Sequence, residues 1–289
     1  MPAAPRRPSY ARALTLAVCL MVALLGYVPA ASADGASRWD SVRSQALARV
    51  DAVERAVSTG RLTDSLAAAA ELIELQVEPA ATAPVALPGL PALISGPVGR
   101  LLGAIEAARA GVPQTLRVPA AELADIRTEE QAAAAVDRQA LYGSGLAVTA
   151  AIDEALPSLR AYAATLPESD ERVVGCDQLE QGPVCIGGNG ANVITGDRAL
   201  VIDLGGDDTH NHSAGGAWLA NPASVTIDLG GNDKYETTAP TAGGSFPVQG
   251  AGVIGIGVLV DAAGNDAYTA TGADNASTPY AHGAGGGTG

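Results

Sequence analysis

Three segments of one design punctuate the last third of the chain: LVIDLGGDDTH at Leu200–His210, VTIDLGGNDKY at Val225–Tyr235 and VLVDAAGNDAY at Val258–Tyr268. Each is a β-branched run that ends in an aspartate, passes through a glycine turn and carries a second acid five residues on. Asp203 to Asp228 is 25 residues, and Asp228 to Asp261 is 33. Gln249 to His282 is again 33, in the matching contexts VQGAG and AHGAG. Self-similarity at this period marks stacked repeats, because each unit buries its apolar face only against its neighbours. β-Branched runs closed by glycine turns mark strands. The expected fold of residues 173–289 is therefore a right-handed parallel β-solenoid, of β-helix or β-roll type, with the eight-residue difference absorbed by a loop. The next strand-ending aspartate would fall near position 294, so the chain is expected to stop inside a repeat.

In-phase stacking puts Asp203, Asp228 and Asp261 in one column. Asp208, Asp233 and Asp266 form a second, with Asp207, Asn232 and Asn265 beside it. Neighbouring strands lie about 4.8 Å apart. Two like charges at that distance repel by roughly 1 kcal/mol in water and several times more at an effective dielectric near 20. A folded repeat has to remove that cost. Calcium can do so, since it is hard, prefers oxygen and accepts carboxylates, amide oxygens and turn carbonyls in a flexible shell. Gly205-Gly206 and Gly230-Gly231 allow the positive φ that turns carbonyls toward an ion. The alternative is purely structural: Asp and Asn after glycine are ordinary turn formers. Asparagine ladders, or the hydroxyls of Tyr235 and Tyr268, could satisfy the acids without metal.

GGNGANVIT at Gly187–Thr195 fits the nonapeptide pattern of haemolysin-type (RTX-like) calcium repeats, with Asn192 where aspartate is usual, and GGND at 230–233 resembles that repeat's core. The resemblance covers roughly residues 187–270. It implies a secreted bacterial protein in which calcium lies between successive turns of a β-roll, and it nominates Gly188, Gly190 and Asn192, with Gly231 and Asp233. The family's repeats recur every nine residues, whereas these recur every 25 to 33. The chain looks closer to secreted bacterial solenoids built of D-x-G-G-N-D-x-Y modules.

The region 34–172 has a different period. Trp39, Val42, Ala46, Val50, Val53 and Val57 recur at spacings of three and four, which predicts a helix that Gly60 ends. Thr63 or Asp64 can cap the next, TDSLAAAAELIELQV. A proline-rich connector, EPAATAPVALPGLPALISGP, has no charge after Glu78 and is expected to lie along the helices. Helical patterns also cover Val98–Ala110, Glu129–Leu141 and Leu146–Leu166. Ser144, in YGSGLAV, lacks the strand and the full motif of a nucleophile elbow and reads as a helix break. The overall expectation is α+β as separate regions, an α-helical N-terminal half followed by the solenoid.

Residues 1–33 read as a signal peptide. Arg6, Arg7 and Arg12 form a basic start, Leu14–Leu25 is apolar and too short to span, and Ala31-Ser32-Ala33 suits signal peptidase. Cleavage would take away three of the 17 bases and none of the 31 acids, leaving a net charge near −17. That balance argues against nucleic acid and anionic membrane as partners, and for cations or basic ligands. The expected location is extracellular or the cell envelope, with no membrane span after cleavage. Cys176 and Cys185 then remain, and an exported pair this close most simply forms a disulfide, which would stabilise by roughly 2–3 kcal/mol. The His210-Asn-His212 stretch reads as a solvated loop after a turn; the alternative puts both histidines on one side of a strand beside Asp207 and Asp208, as a transition-metal or hydrolytic site. The acids repeat, as in a binding module; an enzyme would carry a few unrepeated acids in a cleft. The expected function is a calcium-binding structural or surface-interaction module, more a binder than an enzyme. A carbohydrate-active β-helix enzyme, with a polysaccharide or cell-surface ligand, is the alternative by fold analogy.

Overall fold

The computed structural model describes residues 33–119, 134–170, 184–238, 245–272 and 278–281. Helices come first and parallel sheets follow, and the chain divides into two compact units, one through Leu75 and one from Gln76. The expected leader lies outside the described residues up to position 32.

The first unit is a helix pair, α1 (Ala33–Ser58) and α2 (Leu62–Leu72). Gly60, at φ +69°, terminates α1 as its sequence predicts. The start of α2 differs from expectation: Arg61 is the N-cap, in extended backbone, and neither Thr63 nor Asp64 caps it. Val53 and Ala70 are buried, and Arg49 pairs with Glu74 at 2.7 Å.

In the second unit the connector runs against α3 (Ala92–Gly111) and α4 (Arg138–Ala163). Val85 N–H donates to Gly99 O and Ala80 N–H to Gly143 O, both at 2.9 Å. The helix glycines make this possible. A Cβ on Gly99 would lie 2.3 Å from Val85 O, and one on Gly103 only 1.9 Å from Ala83 O. The expected apolar connector is thus present along the helices as far as Pro91, seated on a glycine track, while its last six residues belong to α3. The expected break at Ser144 is absent. Ser144 lies within α4, with its hydroxyl donating to Ala140 O at 3.1 Å, and Gly143 beside it admits the connector at Glu78. Of the expected Glu129–Leu141 helix, residues 129–133 lie outside the described residues, and α4 itself begins at Arg138, with Asp137 accepting the Ala140 N–H as its cap.

The strands form two main sheets. One has the order β1 (Val184–Ile186), β3 (Leu200–Asp203), β6 (Ala223–Asp228), β10 (Ile256–Asp261). The other runs β2 (Val193–Thr195), β4 (Thr209–Asn211), β7 (Lys234–Thr238), β11 (Ala267–Thr271). Two smaller pairs join β5 (Ala217–Trp218) to β9 (Gly252–Val253) and β8 (Ser245–Val248) to β12 (Thr278–Ala281). Every pairing among these strands is parallel, and each sequence copy adds one strand to each main sheet. Cys185 stands opposite Val201, Val201 opposite Thr226, and Thr226 opposite Leu259, offsets of 16, 25 and 33 residues. The last two are the sequence periods. The 16-residue offset reveals an earlier copy, in which Gly187-Gly-Asn-Gly-Ala-Asn192 occupies the place of Asp203–Asp208.

Strands β3 and β6 are buried throughout, which fits a sheet covered on both sides. Helix α3 lies against β6, and α4 against β10. Arg109 of α3 reaches Asn221 Oδ1 at 2.5 Å and Ala223 O at 2.9 Å, tying helix to sheet. The change of composition after Arg172 is therefore a change of secondary structure inside one packing unit. Strand β7 alternates exposed and buried, with Tyr235 and Thr237 inward and Lys234, Glu236 and Thr238 outward. No helix among the described residues is long and apolar enough to cross a membrane.

Candidate functional site

The parallel register decides which acids meet. Asp203 pairs with Asp228, and Asp228 with Asp261, so the first expected column forms on the inner face of the first sheet. All three are buried, Asp203 and Asp228 at 0% exposure. Below Asp203 the column ends in Gly187, where a Cβ would lie 2.9 Å from Asp203 Oδ1. Facing this column from the second sheet is a column of rings, His210, Tyr235 and Tyr268 in register, with Ile194 at its end. His210 stacks on Tyr235 at 4.6 Å between centroids, and Tyr235 on Tyr268 at 4.7 Å.

The rings supply hydrogen-bond donors to the acids. Tyr235 O–H donates to Asp228 Oδ2 at 2.8 Å, and Tyr268 O–H donates to Asp261 Oδ2. His210 Nε2 lies 3.2 Å from Asp228 Oδ2 and 3.7 Å from Asp203 Oδ2. The backbone fixes its tautomer. Ala214 N–H donates to His212 Nδ1 at 3.0 Å, so in neutral His212 the proton is on Nε2. That N–H donates to His210 Nδ1 at 3.2 Å, which leaves the His210 proton on Nε2, facing the carboxylates. Burial, then His210 and Arg198, push His212 down to about 3, consistent with the neutral ring. The expected solvated loop at these histidines is overturned: His210, the inward residue of β4, is 0% exposed, and His212, just past the strand, is 6% exposed. Sequence reasoning set His210 aside in favour of that loop, although aligning the copies places it opposite Tyr235 and Tyr268.

The second column is a ladder between copies. Asp208 Oδ1 accepts the Asn192 N–H, Asp233 Oδ1 accepts the Asp208 N–H at 2.7 Å, and Asp266 Oδ1 accepts the Asp233 N–H at 2.9 Å. Each acid therefore braces the copy before it with one oxygen. The third set lies apart from both. Asp207, Asn232 and Asn265 are exposed and hydrogen-bond to one another along the outside, Asp207 Oδ1 accepting from Asn232 N–H and Asn232 Oδ1 from Asn265 N–H. Their position fits a surface ladder. The turn glycines are explained by close approach. A Cβ on Gly231 would lie 1.6 Å from Gly206 O, and the carbonyls of Gly230 and Ala263 accept hydrogen bonds from Gly206 and Gly231 N–H. Those two carbonyls are engaged between copies.

Three buried carboxylate oxygens remain without a hydrogen-bond partner among the described residues: Asp203 Oδ2, Asp208 Oδ2 and Asp233 Oδ2, joined by the buried amide oxygen Asn192 Oδ1. Burying such atoms disfavours the charged form. Burial, reinforced by Asp228 and Asp208, pushes Asp203 up to about 9. Burial and Asp228 push Asp233 up to about 8, and burial raises Asp208 and Asp261 to about 6. Burial and the neighbouring acids also push both tyrosine hydroxyls well up, so they stay donors.

Of the resemblance residues, Gly188 lies at the Leu204 position, Gly190 packs on Ser169 and Asp170, and Asn192 begins the second column. Cys185 is buried and disulfide-bonded; Cys176, its expected partner, lies outside the described residues. No known protein family, curated protein or solved structure matches the chain.

Proposed function

We propose that this chain is an exported, acidic repeat module with a structural or surface-interaction role, wound as a right-handed parallel β-solenoid and stabilised by calcium on its interior acids. The observation that carries the calcium reading is the set of fully buried carboxylate oxygens without a donor, at Asp203, Asp208 and Asp233. A buried anion needs a partner or a proton, and a hard divalent cation is the partner suited to oxygens. The repeated acids favour binding over turnover, since they brace neighbouring copies instead of converging on a cleft. The expected leader and the expected Cys176–Cys185 bridge support export.

A second reading rests on its own observation. Tyr235 and Tyr268 hydroxyls already hold Asp228 and Asp261, and protons could neutralise the rest, giving a metal-free structural solenoid. Metal analysis separates the two. Chain secreted by an expression host and dialysed against micromolar calcium should retain at least one calcium and start at Asp34. Calcium-free protein after that dialysis leaves the metal-free reading standing, and retained Met1 contradicts export.

A further inference from the structure

One position breaks the pattern of the ring column. In the second and third aspartate copies the ring residue seven positions after the aspartate is tyrosine, and its hydroxyl donates to its own copy's acid: Tyr235 to Asp228, Tyr268 to Asp261. In the first of these copies the ring residue is His210. Its Nε2 lies closer to Asp228 of the next copy, at 3.2 Å, than to Asp203 of its own, at 3.7 Å. The donor therefore serves Asp228, and Asp203 Oδ2 is left with no hydrogen-bond partner at 0% exposure. The carboxylate oxygens of Asp203 and Asp228 lie within 4.8 Å of each other and of the imidazole. Two ligands of one calcium ion, each at about 2.4 Å, can be separated by up to about that span. Asp208 and Asp233, each with an unpartnered buried oxygen, act electrostatically on Asp203 and concentrate negative charge around it.

We propose that this copy holds one hard divalent cation, of calcium's class, between the carboxylates of Asp203 and Asp228, and that the seat exists because histidine replaces tyrosine at position 210. The inference rests on the calcium reading above and sharpens it from a general property of the columns to one place.

The hydrogen-bond chain sets which ion fits. For His210 to ligate a metal through Nε2, its proton would have to move to Nδ1 and be donated to His212 Nε2. His212 Nδ1 already accepts the Ala214 N–H, so His212 would then be an imidazole with both nitrogens accepting and no proton. That anion is not accessible in a buried ring that disfavours charge. The nitrogen facing the acids therefore keeps its hydrogen, and the seat offers oxygens only. Oxygen-only sets suit calcium, whereas zinc is held chiefly by imidazole and thiolate.

The test is equilibrium dialysis of the full secreted chain against calcium chloride and, separately, zinc chloride. Asp203→Asn replaces the unpartnered oxygen site with an isosteric amide, and His210→Tyr supplies the donor the other copies have. Tyrosine fits the column, as the 4.7 Å stack of Tyr235 on Tyr268 shows. Both variants should lose one calcium per chain or weaken it at least roughly tenfold, a change of about 1.4 kcal/mol. Asp207→Asn, on the outer ladder, should bind as wild type. Should His210→Tyr fail to fold by circular dichroism, Asp203→Asn decides alone. Calcium bound by wild type but unchanged in Asp203→Asn, or zinc held more tightly than calcium, overturns this seat while leaving the module reading intact. Wild type that binds no calcium overturns both.

Discussion

Tyr235 shows how this protein tolerates acid in its interior. Its ring is fully buried between His210 and Tyr268, and its hydroxyl reaches Asp228 Oδ2 at 2.8 Å. Removing that hydroxyl while keeping the ring strips a donor from a buried acid, which costs about 1–3 kcal/mol. Tyr235→Phe should therefore lower stability by that amount in denaturant unfolding, with an unchanged slope. A loss under about 0.5 kcal/mol, the range of a surface change, would show that the bond carries little. The tyrosine–aspartate bond was legible from the copies, since the alternative of hydroxyls satisfying the acids follows from their shared spacing. His210 was less so: alternation puts it and His212 on one side of a strand, but a polar H-N-H stretch after a turn reads as a solvated loop until that side is shown to face inward. The signal lay in the alignment of His210 with Tyr235 and Tyr268.

Among the elements, the helices and the connector depend on glycine. Alanine dominates these helices, so their sequence predicts close packing, and the connector's lack of charge predicts that it lies along them. What the sequence does not announce is that Gly99, Gly103 and Gly143 are where it lies, because a glycine in a helical pattern reads first as a weakness or a break. Gly103→Ala would set a methyl 1.9 Å from Ala83 O, where backbone must move. The expected result is a loss of roughly 1–3 kcal/mol, the range for overpacking, despite alanine's better helix propensity. Thermal unfolding measures it, and a stabilised variant would mean that the connector does not bind this track. Strand pairing was legible at offsets of 25 and 33 residues because an aspartate marks each copy. The copy at offset 16 was not, since Gly187 stands where the aspartate would collide with Asp203.

At the scale of the whole molecule, the interior acids couple folding to pH and to cations. Unfolded aspartates ionise near pH 4. In the folded chain Asp208 and Asp261 are raised to about 6, Asp233 to about 8 and Asp203 to about 9. Between those limits the folded state holds protons that the unfolded state has released, so stability falls as pH rises. With a chelator present, the melting temperature should be highest near pH 4 and decline through pH 9. A cation that binds only the folded state offsets the decline, by about 2.7 kcal/mol per site at 100 times its dissociation constant. Magnesium should do less, because it demands tighter octahedral geometry and sheds water reluctantly. Scanning calorimetry of the mature chain at pH 8, in millimolar calcium against chelator, reads that offset. The melting temperature should be higher in calcium, by more than magnesium gives, with the increment lost in Asp203→Asn. Identical melting temperatures in calcium and chelator would contradict calcium binding by the folded chain.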